Sequence, residues 1–353
     1  MQETLTRIKA MRFPLIVLVV TAHALGFSTP ELSLSGDGWN IFHFVTEGIS
    51  HNFCRIAVCS FFILSGFFFF YGKEDTVRYD LPWFRGKWER RIRTVLIPFL
   101  AWNLILLLAT WGKISLFSAL GFAAEPDERA LLAQGPLHWF FLGPANFPLW
   151  YMRDLVILSL LAPLLPPLFR LLGKFTPVVL VLLYLSPWNP GIPSMRAIFY
   201  FCIGAWLGMR RTDLLACCRS VRIPCYIAAA LLLPAVTFFT GKPVHEWCLR
   251  VFYPFGIISF ANLADSLFSN RKGLQDKMTV LSESVFFIYA AHEIFILGWT
   301  KGLLFRLLGD GLGAAWLSYF LVPPIVLGVC LILYQILKKI APKPLAFVCG
   351  GRI

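Results

Sequence analysis

Two residues of the first apolar segment can do chemistry, Arg12 and His23, and eleven positions separate them. At about 100° per residue eleven steps return to one helix face, about 16.5 Å further along the axis. A neutral imidazole accepts a proton from a hydroxyl nucleophile. A guanidinium presents a planar fork matched to phosphate. The pair suits a long donor molecule whose phosphates stay at the membrane mouth while its reactive end reaches the histidine. It also suits a snorkelling arginine above a histidine hydrogen-bonded between helices, and the two residues alone leave both readings open.

Further candidates lie along the chain. Lys87, Arg90 and Arg93 recur every third residue before the third apolar segment, a side able to hold phosphates or anionic lipid headgroups. Trp150 offers a flat surface on which a sugar can stack, and Arg153 and Asp154 can bind sugar hydroxyls or form an internal ion pair. His292 and Glu293 stand at a depth in the ninth segment similar to that of His23, where the carboxylate can orient an imidazole or make a structural hydrogen bond. Arg55, at the outer end of the second segment, is an external ligand or a partner for Glu47. Ser65-Gly66 reads as a close-packing position.

Membrane helices must position these groups. Hydrophobic residues make up 58% of the 353-residue chain and charged residues 14%, against about 25% charged in ordinary soluble domains. Apolar runs long enough to cross about 30 Å of hydrocarbon recur throughout. The pattern predicts an all-α integral membrane bundle of about ten helices, near 10–28, 54–72, 93–112, 148–168, 176–188, 196–209, 223–240, 249–268, 279–300 and 315–338. It reads as one domain over 1–353, with no appended soluble domain. The net charge of +13 is distributed by side: 23 of the 32 basic residues, from Arg7 to Arg352, fall in alternate connections, whereas the opposite connections hold Glu31, Asp37, Glu47, Glu125, Asp127 and Glu128. That asymmetry places both termini in the cytoplasm and the connections 29–53 and 113–147 outside, and it removes the reason to expect a nucleic-acid partner. A signal peptide competes for the N-terminus, since Arg7, Lys9 and Arg12 precede an apolar stretch and Ala22-His23-Ala24 has a small-x-small form. Nine scattered cysteines show no metal spacing and read as buried hydrophobes or reduced thiols. No metal is expected.

Five stretches, taken in order, resemble the acyltransferase family 3 membrane enzymes: Arg12 to His23 (RFPLIVLVVTAH), Arg55 to Phe67 (RIAVCSFFILSGF), Arg90 to Trp102 (RRIRTVLIPFLAW), Phe147 to Pro163 (FPLWYMRDLVILSLLAP) and Val285 to Ile294 (VFFIYAAHEI). The resemblance implies a ten-helix bundle in the bacterial inner membrane that takes an acyl group, usually acetyl, from cytoplasmic acetyl-CoA to a hydroxyl of a surface or lipid-linked glycan. Within it His23 corresponds to the family's essential histidine and Arg12 to its paired arginine, while Arg90 and Arg93, then Lys87, are favoured for CoA. Cys59 stands where many relatives have proline. A secondary transporter is the alternative, but it calls for inverted repeats or paired interrupted helices, and the sequence has no such symmetry.

Overall fold

A computed structural model of the protein describes residues 2–25, 32, 36–72, 79–123 and 125–352. Glu31, Lys73 and Arg78, which enter the charge asymmetry, lie outside them. Among the described residues all regular structure is helical. The helices are α1 (Gln2–Ala22), α2 (Gly38–Glu47), α3 (Ile56–Phe70), α4 (Leu81–Arg91), α5 (Ile97–Ala119), α6 (Pro126–Ala133), α7 (Trp150–Leu161), α8 (Leu165–Leu172) and α9 (Thr176–Leu185). The second half holds α10 (Met195–Met209), α11 (Leu214–Ser220), α12 (Arg222–Phe238), α13 (His245–Asn270), α14 (Lys272–Leu281), α15 (Val285–Ala291), α16 (Leu297–Leu308), α17 (Leu312–Ile340) and α18 (Pro342–Val348).

Among the described residues five helical runs are long and apolar enough to cross a membrane, or up to seven if two bent pairs each form one span. This is a multi-pass membrane protein. Two apolar helices stand outside these runs: α10 is only 15 residues long, and the first half of α1 carries Arg7, Lys9 and Arg12. The sequence divides three regions differently from the structure. Residues 38–53, expected in an outer connection, form α2 and a π-helical turn that run straight into α3 as the single run Gly38–Phe70. The basic approach to the third segment is also helical, because Asp80 accepts a hydrogen bond from the Trp83 amide at 3.0 Å and so caps α4. The first segment ends earlier than expected, at Ala22, since the Lys301 ammonium draws out the carbonyls of His23 and Leu25 at 2.6 and 3.2 Å.

One seam holds the two halves together. Added at Gly66, a Cβ would meet the Phe201 carbonyl; at Gly204 it would meet the Ile63 carbonyl, and at Gly208 the Phe67 carbonyl. Backbones of α3 and α10 therefore touch, the close approach that small residues four apart permit between membrane helices. Gly66 fulfils the packing role expected of it. Around the seam lies an apolar core built on Phe62, Phe69, Phe201 and Phe252, and a second core joins α1 to α15 and α17 through Ile16, Val20, Ile288 and Val326. All nine cysteines are free thiols, most of them buried.

Candidate active site

His23 stands in the turn that follows α1, with its Nδ1 3.1 Å from Nε2 of His292. The partner ring fixes the proton arrangement. Nδ1 of His292 faces two carbonyl oxygens, Ile288 at 3.0 Å and Tyr289 at 2.9 Å, and a carbonyl only accepts. His292 therefore carries its proton on Nδ1 and a lone pair on Nε2, so His23 donates from Nδ1 and keeps its own lone pair on Nε2. That is the electronic state of a base. Glu293 Oε1 lies 3.9 Å from His23 Nδ1, close enough to stabilise an imidazolium.

The backbone explains the placement. α15 gives way at Ala291 to a π-helical turn, His292–Ile296, in which Phe295 has φ +60°. Such turns are frequent at functional sites, and here the turn breaks the segment expected to run unbroken over 279–300. It is anchored from behind, where Asn146 donates to the Ala290 carbonyl at 2.8 Å and the Tyr289 hydroxyl donates to the Pro148 carbonyl. On the other side the Ser50 hydroxyl donates to the Thr21 carbonyl at 2.8 Å, fixing the end of α1.

Below the histidines lies a cavity of about 250 Å³. Arg12, Ile16 and Val19 line it from α1, at spacings that continue on the same face to His23. Val285, Phe286 and Tyr289 line it from α15, one turn short of His292. Three guanidiniums enter it: Arg12, Arg91 and Arg352. None of the three has a carboxylate within ion-pair distance among the described residues. Arg91 donates to the Ser65 carbonyl at 3.1 Å, and Arg352, beyond α18 and outside the spanning runs, stacks over the Phe286 ring. Burial, then the like charges of Arg12 and Arg91, push the pKa of Arg352 down to about 10. An anion entering this cavity relieves that strain.

Arg90 and Arg93 stand elsewhere. Both are exposed and line an open groove with Gly350 and Gly351 of the C-terminal tail. Lys87 joins neither place, because its ammonium sits 4.9 Å above the Trp83 ring. Spacing by threes grouped Lys87 with Arg90 and Arg93, but only the last two share the groove, and Arg91, just before the π-helical turn Ile92–Leu96, is the one that lines the cavity. Sequence reasoning passed over Arg91, Arg352 and Lys301. Arg91 had a signal, lying inside the quoted RRIR stretch; Arg352 had none, since the tail reaches the cavity only by folding back through Gly350 and Gly351, both at positive φ.

On the opposite side Trp150 lines a second cavity of about 240 Å³. Arg153 and Asp154 do not line it. They form the internal ion pair, 2.8 Å apart and both buried, with Arg153 also donating to the carbonyls of Phe141 and Leu142 and Asp154 accepting from the Ser194 amide. Arg55 does not meet Glu47, whose carboxylate pairs instead with His51 at 2.8 Å. His23, His292 and Glu293 also bring three ligand atoms within 4.8 Å of one another, the spacing of a cation site. A cation between the rings and the proton they share exclude each other.

A buried histidine pair stands on the same α1 face as a cavity lined by three arginines, within a multi-pass helical bundle. The chain matches the acyltransferase domain of acyltransferase family 3 over residues 5–335 and belongs to that family; it is an acyltransferase. The match includes α1, so the segment that resembles a signal peptide is part of the domain. The chain is also similar to the Succinoglycan biosynthesis protein ExoH of Rhizobium meliloti (strain 1021), with 24% identity over 360 residues covering 98% of this chain and 92% of that protein. No protein of solved structure matches it.

Proposed function

We propose that the protein transfers an acyl group, acetyl in the simplest case, from cytoplasmic acyl-CoA to a hydroxyl of an extracytoplasmic or lipid-linked glycan at the bacterial inner membrane. The observation that carries this reading is the cavity in which Arg12, Arg91 and Arg352 stand with no paired carboxylate among the described residues, at the foot of a face that leads to His23. Its geometry suits a donor with phosphates at one end and a thioester at the other. The relative's name concerns a polysaccharide, which favours a glycan acceptor.

In this mechanism His23 Nε2 takes the proton of the acceptor hydroxyl as its oxygen attacks the thioester carbonyl. Collapse of the tetrahedral intermediate breaks the C–S bond, and the CoA thiolate takes the proton from the imidazolium. His292 holds the His23 tautomer throughout, Glu293 stabilises the transient imidazolium, and the position of His23 at the C-terminal end of α1 favours the same charge. Arg12 positions the donor and moves no proton. The reading includes ten crossings with both termini in the cytoplasm, which labelling of single cysteines from each side tests.

The decisive measurement is acyl-CoA binding beside turnover. His23→Ala should abolish transfer and leave binding intact, because the imidazole is far from the phosphate contacts. Arg12→Lys should weaken binding, since an ammonium cannot reproduce the bidentate fork. Near-normal transfer by His23→Ala sinks the catalytic assignment.

A further inference from the structure

The outer cavity carries chemistry that the transfer reaction does not use. Four chain segments meet there: the start of α7 with Trp150, the end of α9 with Tyr184, the start of α10 with Arg196, and the start of α13 with Glu246 and Arg250. Two guanidiniums share one carboxylate. Arg196 Nη2 donates to Glu246 at 3.0 and 3.3 Å, whereas Arg250 Nε is 3.9 Å away and its Nη1 is committed to the carbonyls of Tyr184 and Ser186. The Arg196 Nε is a buried donor with no hydrogen-bond partner among the described residues. Glu246 itself is half-exposed, its side chain 51% accessible, so its hold on both arginines is open to competition. Arg55 adds positive charge to the same neighbourhood, within electrostatic reach of both Tyr253, which underlies Arg196, and His23.

Trp150 supplies an indole against this charge, a flat apolar surface beside hydrogen-bonding groups. An apolar ligand would leave the guanidiniums unanswered. A neutral sugar would stack but leave one positive charge uncompensated in a partly desolvated site. A sugar bearing a carboxylate meets both requirements, its ring on Trp150 and its carboxylate on the Arg196 fork, in the place Glu246 now partly fills.

We propose that this cavity is the acceptor subsite and that it selects a glycan residue carrying a carboxylate. The inference rests on the acyl-transfer reading, which it deepens by naming the acceptor's chemical class. Arg55, within electrostatic reach of His23, then adds to the positive charge that an acidic acceptor meets on its way to the base.

The test uses the full-length protein in lipid nanodiscs and two probes: a hexuronate-containing oligosaccharide, and the same oligosaccharide with its carboxyl groups reduced to primary alcohols. Calorimetry should show the acidic form binding about tenfold or more tightly, the size of a charge-assisted contact. Arg196→Gln should erase that preference. Glu246→Gln should tighten the acidic probe only, and Trp150→Ala should weaken both. Equal binding of the two probes, binding of neither, or a preference that survives Arg196→Gln overturns the proposal. Should Arg196→Gln fold poorly, the opposite-sign effect of Glu246→Gln keeps the question decidable. Acyl-CoA binding to the same wild-type preparation separates the two readings: its absence defeats acyl transfer from CoA, while the probe comparison is read independently of it.

Discussion

Arginine occurs in two settings in this protein, and the contrast separates architecture from chemistry. Arg153 is closed off by Asp154 and two carbonyls, and Arg7 and Arg219 share Asp265, each Nε 3.1 Å from one of its oxygens. There the fold provides the anion, and the arginine ties segments together. Arg12, Arg91 and Arg352 crowd one cavity in which, among the described residues, no carboxylate pairs with them. Like charges held together in one cavity oppose folding, so their presence points to a ligand that supplies the missing charge.

The sharpest way to break this contrast is to remove an internal anion. Asp154→Asn should cost about 3 to 5 kcal/mol, because it leaves Arg153 buried and uncompensated, and thermal unfolding in detergent would show the loss; a neutral outcome would place Arg153 with the ligand-binding arginines. Alanine at Arg12, Arg91 or Arg352 should leave the unfolding temperature unchanged or raised and weaken acyl-CoA binding roughly ten- to a hundredfold. The converse substitution, Ser65→Asp, puts a carboxylate into the cavity beside Arg91 and Tyr151. It should stabilise the protein by about 1 kcal/mol while raising the KM for acyl-CoA about tenfold, two effects of opposite sign read on one preparation. Smallest of all, Arg90→Ala and Arg93→Ala, in the open groove, should each change that KM less than about threefold at physiological salt. A larger change would extend the phosphate site on to the tail groove.

How far the sequence reaches can be judged from the same residues. The helical class follows from apolar run length, and the common face of Arg12 and His23 follows from the helix period, since both depend on local rules. His292 and Glu293 were legible as intramembrane polar groups, but their contact with His23 depends on a π-helical turn and a residue at positive φ that no periodicity announces. Arg153 and Asp154 left ligand and ion pair open, and only the neighbouring carbonyls of Phe141 and Leu142 decide between them. Arg352 depends on contact between the two ends of the chain, which no local pattern encodes. The division into spans was least legible where short 3₁₀ links join α7, α8 and α9 into one run.

The glycine seam between α3 and α10 bears on how the proposed transfer would cross the membrane. α3 carries Ser65 of the inner cavity, and α10 begins at the Arg196 end of the outer one. With carbonyls against Gly66, Gly204 and Gly208, these helices have no slack in which to slide or rock. The two cavities are thus mounted on one rigid strut at a fixed spacing, and the enzyme resembles a bulkhead with a hatch more than a revolving door. In the proposed transfer the acyl group passes through a stationary wall, from hand to hand.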